Sequence, residues 1–138
     1  MPLPIAVADT TVLIALHHLE HLPKLSLFYH QVLIPAAVRA EFLSKDERKN
    51  REAEAISQAK QRNTDLILID EKKGRQIAFR ERRQVRGTIR ILADLHVQGI
   101  LNIRNEVTHL RNDIGFRVTD QVVHSALQEA ARAFAGAC

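Results

Sequence analysis

Two short aliphatic runs, Ile5-Ala6-Val7-Ala8 and Leu66-Ile67-Leu68-Ile69, each end on an aspartate, Asp9 and Asp70. Apolar runs of this length without polar alternation describe strands buried on both faces, the pattern of a parallel sheet rather than of a sheet with one wet face. Each run is followed at once by a stretch of helical character. Strands that alternate with helices build a parallel sheet through crossover connections. In such sheets ligands bind at the carboxyl ends of the strands. Two carboxylates from distant parts of the chain are thus expected at the edge where an open α/β sheet places its site, and they point to a small acidic, metal-holding pocket.

The rest of the chain fits that frame. Its 138 residues suit one domain, 1–138, with one core. The core must be aliphatic, because there is no Trp and aromatics make up only 4% of the residues. Gln31-Val32-Leu33-Ile34 reads as a second strand, and Pro35 opens a helix to about Leu43. A charged stretch, Ser44 to Arg51, precedes a helix at Ala53 to Ala59. A basic helix is expected from about Lys73 to Arg83, and Val85 belongs to a short final strand. Thr88 caps a helix ended by Gly99, and two more helices follow at Ile103 to Ile114 and Thr119 to Phe134, separated by Gly115. The expected architecture is three-layer α/β/α with a short parallel sheet and an all-helical C-terminal third.

Cysteine usage and targeting signals narrow the class further. The single cysteine, Cys138, excludes a disulfide framework within the chain and a cysteine-based zinc site. This fits a reducing cytoplasm. No basic segment followed by a long apolar stretch and a cleavage site opens the chain, so no signal peptide is expected. No apolar run is long enough to span a bilayer, and no membrane partner is expected.

Asp9 and Asp70 by themselves have an ordinary explanation as N-caps of the helices that follow them. Two further acids bear on the choice. Glu41 lies three residues after Val38 and four after Ala37, at the margin of the buried stripe of its helix. Glu52 aligns with Ile56 and Ala59 on an apolar stripe, whereas Glu54 aligns with Ser57, Gln58 and Gln61 on the polar face. A carboxylate on a core-facing stripe is costly unless it is paired or binds a cation. Glu52 is therefore the candidate ligand and Glu54 a solvated side chain. The alternative for Glu52 is a first-turn acid that favours the helix dipole.

Four converging carboxylates repel one another, and a hard divalent cation, Mg²⁺ or Mn²⁺, relieves that repulsion. Such a centre suits metal-assisted hydrolysis of a phosphodiester. The net charge is +4, and much of the basic excess lies between Lys72 and Arg90. Its ordinary reading is a solvated helix face, and its functional reading is a patch that draws backbone phosphates, beginning with Lys72, Lys73 and Arg75 directly after Asp70.

These residues resemble a known family. Val7-Ala8-Asp9-Thr10-Thr11-Val12-Leu13-Ile14-Ala15-Leu16 resembles the opening motif of PIN domains, in particular of a PIN-like branch of bacterial and archaeal proteins. Val32 to Glu41 resembles the branch's second strand and acid-bearing helix. Glu52-Ala53-Glu54-Ala55-Ile56 resembles its Glu-x-Glu-Ala-Ile helix, and Leu66 to Arg75, with Asp70-Glu71 and Gly74-Arg75, its next segment. Gly87-Thr88, Gly99-Ile100-Leu101 and Gly115-Phe116-Arg117-Val118-Thr119 resemble its closing helices. The resemblance implies a Mg²⁺- or Mn²⁺-dependent ribonuclease with Asp9, Glu41, Glu52 and Asp70 as catalytic and metal-binding acids and Thr10 as a small hydroxyl residue beside the first of them. It implies RNA as substrate, and further the toxin of a toxin–antitoxin pair, a homodimer with an antitoxin protein as partner. The chain departs from the pattern in three places: the stretch Leu43 to Arg51 is several tens of residues shorter than the branch's usual connection, and Arg51 and Arg90 stand where the branch usually has glycine. An alternative is therefore a catalytically inactive PIN-like module that binds a protein or RNA partner.

Other chemistries lack their residues. Asp9 is followed by two threonines, not by the acids that a receiver domain or a haloacid-dehalogenase-type phosphatase needs, and no P-loop or dinucleotide fingerprint is present. His17 and His21 stand at helical i, i+4 spacing, but residue 18 is His, where a metalloprotease carries its glutamate, and both are expected as surface histidines.

Overall fold

A computed structural model describes residues 3–34, 66–70 and 84–136. These residues fall into two compact units, one ending at Gly87 and one beginning at Thr88.

The first unit is built on a parallel sheet. The apolar run at the start of the chain forms β1 (Ile5–Ala8), and α1 (Thr10–His18) follows after a single residue. A 3-10 helix at Leu22–Leu27, with Pro23 in its first turn, leads into β2 (Gln31–Leu33). The second aliphatic run supplies β3 (Leu66–Leu68), and β4 is Gln84–Arg86. The strand order is β2-β1-β3-β4, with every neighbouring pair parallel. Ala6, Val7 and Ala8 stand opposite Leu66, Ile67 and Leu68. The ladder continues one step past the strand ends, because the Asp9 N–H donates to the Leu68 carbonyl at 2.8 Å and the Ile69 N–H to the Arg86 carbonyl at 3.0 Å.

Burial explains the two unbroken apolar runs. Ala6, Val7 and Ala8 of β1 and Ile67, Leu68 and Ile69 of the β3 run are all buried. Val7, Ile67 and Ile69 form a cluster on which Leu33 of β2 and Val85 of β4 pack. α1 buries Val12, Leu13, Ala15 and Leu16 and leaves Ile14 and His17 outside, the stripe expected of a helix with one covered face. α1 ends before His21, so the i, i+4 relation of His17 and His21 is not a helical one. His21 is buried rather than on the surface, and its Nδ1 lies 2.7 Å from Lys24 Nζ.

The second unit is helical: α2 (Thr88–Val97), α3 (Ile103–Ile114) and α4 (Asp120–Gly136). Both α3 and α4 pack on α2. The apolar side chains recur at helical spacing, Ile103, Val107 and Leu110 on α3 and Val123, Ala126 and Ala130 on α4. Asn102 caps α3 by accepting from the Arg104 N–H at 3.0 Å, and His96 Nδ1 accepts from the Ile103 N–H at 3.1 Å. Gly115 ends α3 in the left-handed region with φ 66°, where L side chains are strained, and the Phe116 N–H turns back to the Leu110 carbonyl.

The expected α/β architecture with a parallel sheet and a helical C-terminal third is thus the observed one. The helices expected at 35–43, 53–59 and 73–83 lie outside the described residues. Among the described residues no helix is long and apolar enough to cross a membrane.

Candidate active site

The strand order creates the site. From β1 the chain moves outward to β2, and from β3 it moves outward on the other side to β4. Connections that leave in opposite directions open a crevice between the two central strands at their carboxyl ends. Asp9 follows β1 directly and Asp70 lies two residues beyond β3. By the register, Asp9 stands level with Ile69, one residue before Asp70. Neighbouring strands run roughly 4.8 Å apart, so the two acids leave the sheet side by side at its switch point.

Asp9 occupies the N-cap position of α1 in extended conformation, φ −88° and ψ 161°, yet its side chain makes no capping bond to α1. The ordinary explanation of a strand-end aspartate as a helix cap therefore does not describe its carboxylate. The residue is only 1% exposed. A carboxylate is expensive to bury, and Asp9 stands directly after the end of β1, not in mid-strand. Thr10 begins α1 and is buried beside it.

Asp70 is half-buried, and its surroundings identify a residue that the motifs did not single out for the site. A Cβ built on Gly87 would stand 2.7 Å from Asp70 Oδ1 and 3.6 Å from the Ile69 carbonyl oxygen. Real Cβ atoms essentially never approach another heavy atom so closely. Gly87, one residue past β4, thus leaves the space that the Asp70 carboxylate fills. The Gly87-Thr88 pair was legible only as a helix start. The close approach depends on the pairing of β3 with β4, which no local pattern encodes.

The other sequence-derived candidates divide cleanly. Glu41, Glu52, Lys72, Lys73 and Arg75 lie outside the described residues. At the end of the basic stretch, Arg86 donates to the Val85 carbonyl at 3.0 Å. Arg90 is held by two acids, Asp94 and Glu129, each at 3.1 Å, so it serves the helical unit and does not extend a phosphate-attracting patch.

Two hard oxygen donors at a switch point fit a divalent ion such as Mg²⁺, which is commonly held by one or two carboxylates and completes its shell with water and substrate phosphate. The gap left by Gly87 fits the same purpose, since it admits the Asp70 carboxylate at the sheet edge. Among the described residues no group of three or more His, Cys, Asp or Glu side chains is placed to hold a metal ion. A fuller ligand set would have to draw on Glu41 and Glu52.

A family model described as PIN domain matches residues 5–52 and 49–132. The two pieces overlap at residues 49–52, in the charged stretch and at the first residue of the Glu-x-Glu-Ala-Ile segment. No curated protein and no solved structure matches the chain. With most of its length matched, a parallel sheet in the order β2-β1-β3-β4 and an aspartate at the end of each central strand, this chain belongs to the PIN-domain family.

Proposed function

We propose that the protein is a metal-dependent ribonuclease that hydrolyses phosphodiester bonds in RNA. The observation that carries this reading is the delivery of Asp9 and Asp70 to the carboxyl ends of the two central strands, with Gly87 making room for the second. PIN domains have a nuclease-like fold, and their general dependence on a divalent metal agrees with two carboxylates at this edge. Asp9, Glu41, Glu52 and Asp70 are the proposed ligands, and Mg²⁺ or Mn²⁺ the proposed ion. When bound, such an ion polarises the phosphoryl group and makes water a nucleophile at neutral pH. The chain's own share is to hold Asp9 and Asp70 at rigid strand ends, so that the reacting phosphate meets acids already in place. Lys72, Lys73 and Arg75 draw the RNA backbone to that edge, and Thr10 supports the first acid. Water adds at phosphorus through its oxygen and gives up a proton, the ester P–O bond breaks, the departing ribose oxygen takes up a proton from solvent, and the RNA leaves as a phosphomonoester end and a hydroxyl end.

The resemblance extends the proposal to the toxin of a toxin–antitoxin pair, cytoplasmic, homodimeric and restrained by an antitoxin protein. The single-domain reading is part of the proposal, supported by family matches that span both units. A second reading, a PIN-like module that binds a protein or RNA partner without cutting, is favoured by a family match that comes in two pieces, overlapping at 49–52. Incubation of purified protein with single-stranded RNA, with and without Mn²⁺ or Mg²⁺, separates the two. The ribonuclease reading expects cleavage that needs the ion and is lost in Asp9→Asn and Asp70→Asn. Binding without cleavage selects the second reading, and cleavage that survives both substitutions removes the acids from the mechanism.

A further inference from the structure

A cleft of about 300 Å³ lies within the helical unit between α3 and α4. Both helices pack on α2, and the turn at Gly115 separates them in sequence. Its floor is aliphatic, made by Val107 of α3 with Val123 and Leu127 of α4. Its rim is basic. Arg104 and Arg111 stand two turns apart on α3, and His124 faces them from α4.

The two arginines differ in how they are held. Arg111 donates from Nε and Nη2 to the Val118 carbonyl, at 3.1 and 2.7 Å, which fixes its guanidinium at one end of the cleft. Its remaining partner is Asp120, at 3.1 Å, whose side chain is 98% exposed. A pair so solvated is weak, and an incoming carboxylate can replace it. Arg104, at the other end, has no ion-pair partner among the described residues. Two guanidiniums thus face a single lining carboxylate across an apolar floor.

We propose that this cleft docks an acidic helical segment of a partner protein, with one carboxylate on Arg104, a second on Arg111 and an aliphatic side chain between them on the floor. Seven residues of helix separate the arginines by about 10.5 Å, which matches acids at i and i+7 with a leucine at i+4. Peptides of this kind bind by laying an apolar face into a groove, and charge-assisted bonds to the guanidiniums set the register. RNA is disfavoured here because no Phe, Tyr or Trp lines the cleft as a stacking platform for bases, while the aliphatic floor rewards apolar burial.

The test uses the full chain and a fluorescein-labelled helical peptide of about 15 residues carrying Glu, Leu and Glu at i, i+4 and i+7, read by fluorescence anisotropy. Saturable binding is expected, weakened about tenfold or more by Arg104→Glu and by replacement of the peptide's leucine with alanine. Arg132→Glu, on α4 outside the cleft, is expected to leave it unchanged. No saturable binding up to about 1 mM peptide overturns the proposal. So does equal binding to Arg104→Glu, or equal binding of the alanine peptide, which would reduce the interaction to charge attraction. An oligouridine that binds with the same Arg104 dependence while the peptide does not would assign the cleft to nucleic acid instead.

Discussion

Gly87 and Asp70 are fitted to each other: the carboxylate oxygen Oδ1 occupies the place next to residue 87 that any β-carbon would have to share, at 2.7 Å. The pair brings together the chain just past the ends of β3 and β4.

A methyl group at this position is expected to separate structure from activity. In Gly87→Ala the Asp70 carboxylate must move, and a misplacement of about 1 Å at a reacting centre costs on the order of a hundredfold in rate. Because only the end of the Asp70 side chain has to give way, the stability cost should stay below the roughly 1–3 kcal/mol of core overpacking. RNA cleavage rates beside urea unfolding curves check this. Unchanged cleavage would place Asp70 outside the reaction.

Asp9→Asn is expected to leave the metal-free protein at least as stable as the wild type, because a neutral amide is cheaper to bury than a carboxylate. The difference should appear with the ion present. At Mn²⁺ a hundredfold above the wild type's dissociation constant the wild type gains about 2.7 kcal/mol, and a variant that binds the ion more than about tenfold more weakly gains less than about 1.4 kcal/mol. Urea midpoints with and without Mn²⁺ measure both effects. A midpoint lowered equally in both conditions would make Asp9 a structural residue.

Two positions share one backbone conformation and should respond with opposite sign. Gly115 has φ 66° and Glu20, just after α1, has φ 62°. A Cβ at Gly115 would meet no atom within 4 Å, so Gly115→Ala costs only the left-handed strain, about 1–2 kcal/mol. Glu20→Gly relieves that strain and should stabilise by up to about 1 kcal/mol after the greater freedom of an unfolded glycine is subtracted. Thermal unfolding of the two variants checks the signs.

Ile67 lies at the centre of β3, fully buried in the cluster with Val7 and Ile69. Ile67→Ala is expected to cost about 2–5 kcal/mol, read as a shift of the denaturant midpoint. A cost near that of a surface substitution would mean that the two central strands do not carry the core of the first unit.

The strand ends and the last three helices were legible because their signals are local. Unbroken aliphatic runs mark β1 and β3, and helical spacing with Gly115 marks the division between α3 and α4. Strand order is non-local, and so is everything that depends on it. Gly87 could be read as a turn glycine but not as the neighbour of Asp70. Arg90 could be paired with Asp94, four residues on, but not with Glu129, which a different helix brings to it. His21 was expected on the surface through its i, i+4 spacing with His17, whereas α1 stops at His18 and His21 is buried. The cleft between α3 and α4 left no trace in either helix alone, since each contributes half of it.

The proposed metal site is tested most directly by titrating Mn²⁺ into the wild type, Asp9→Asn and Asp70→Asn and following the ion's electron paramagnetic resonance signal. Saturable binding to the wild type is expected, weakened more than about tenfold by either substitution. Equal binding by all three proteins, or a wild type that cleaves RNA without binding the ion, would contradict the account.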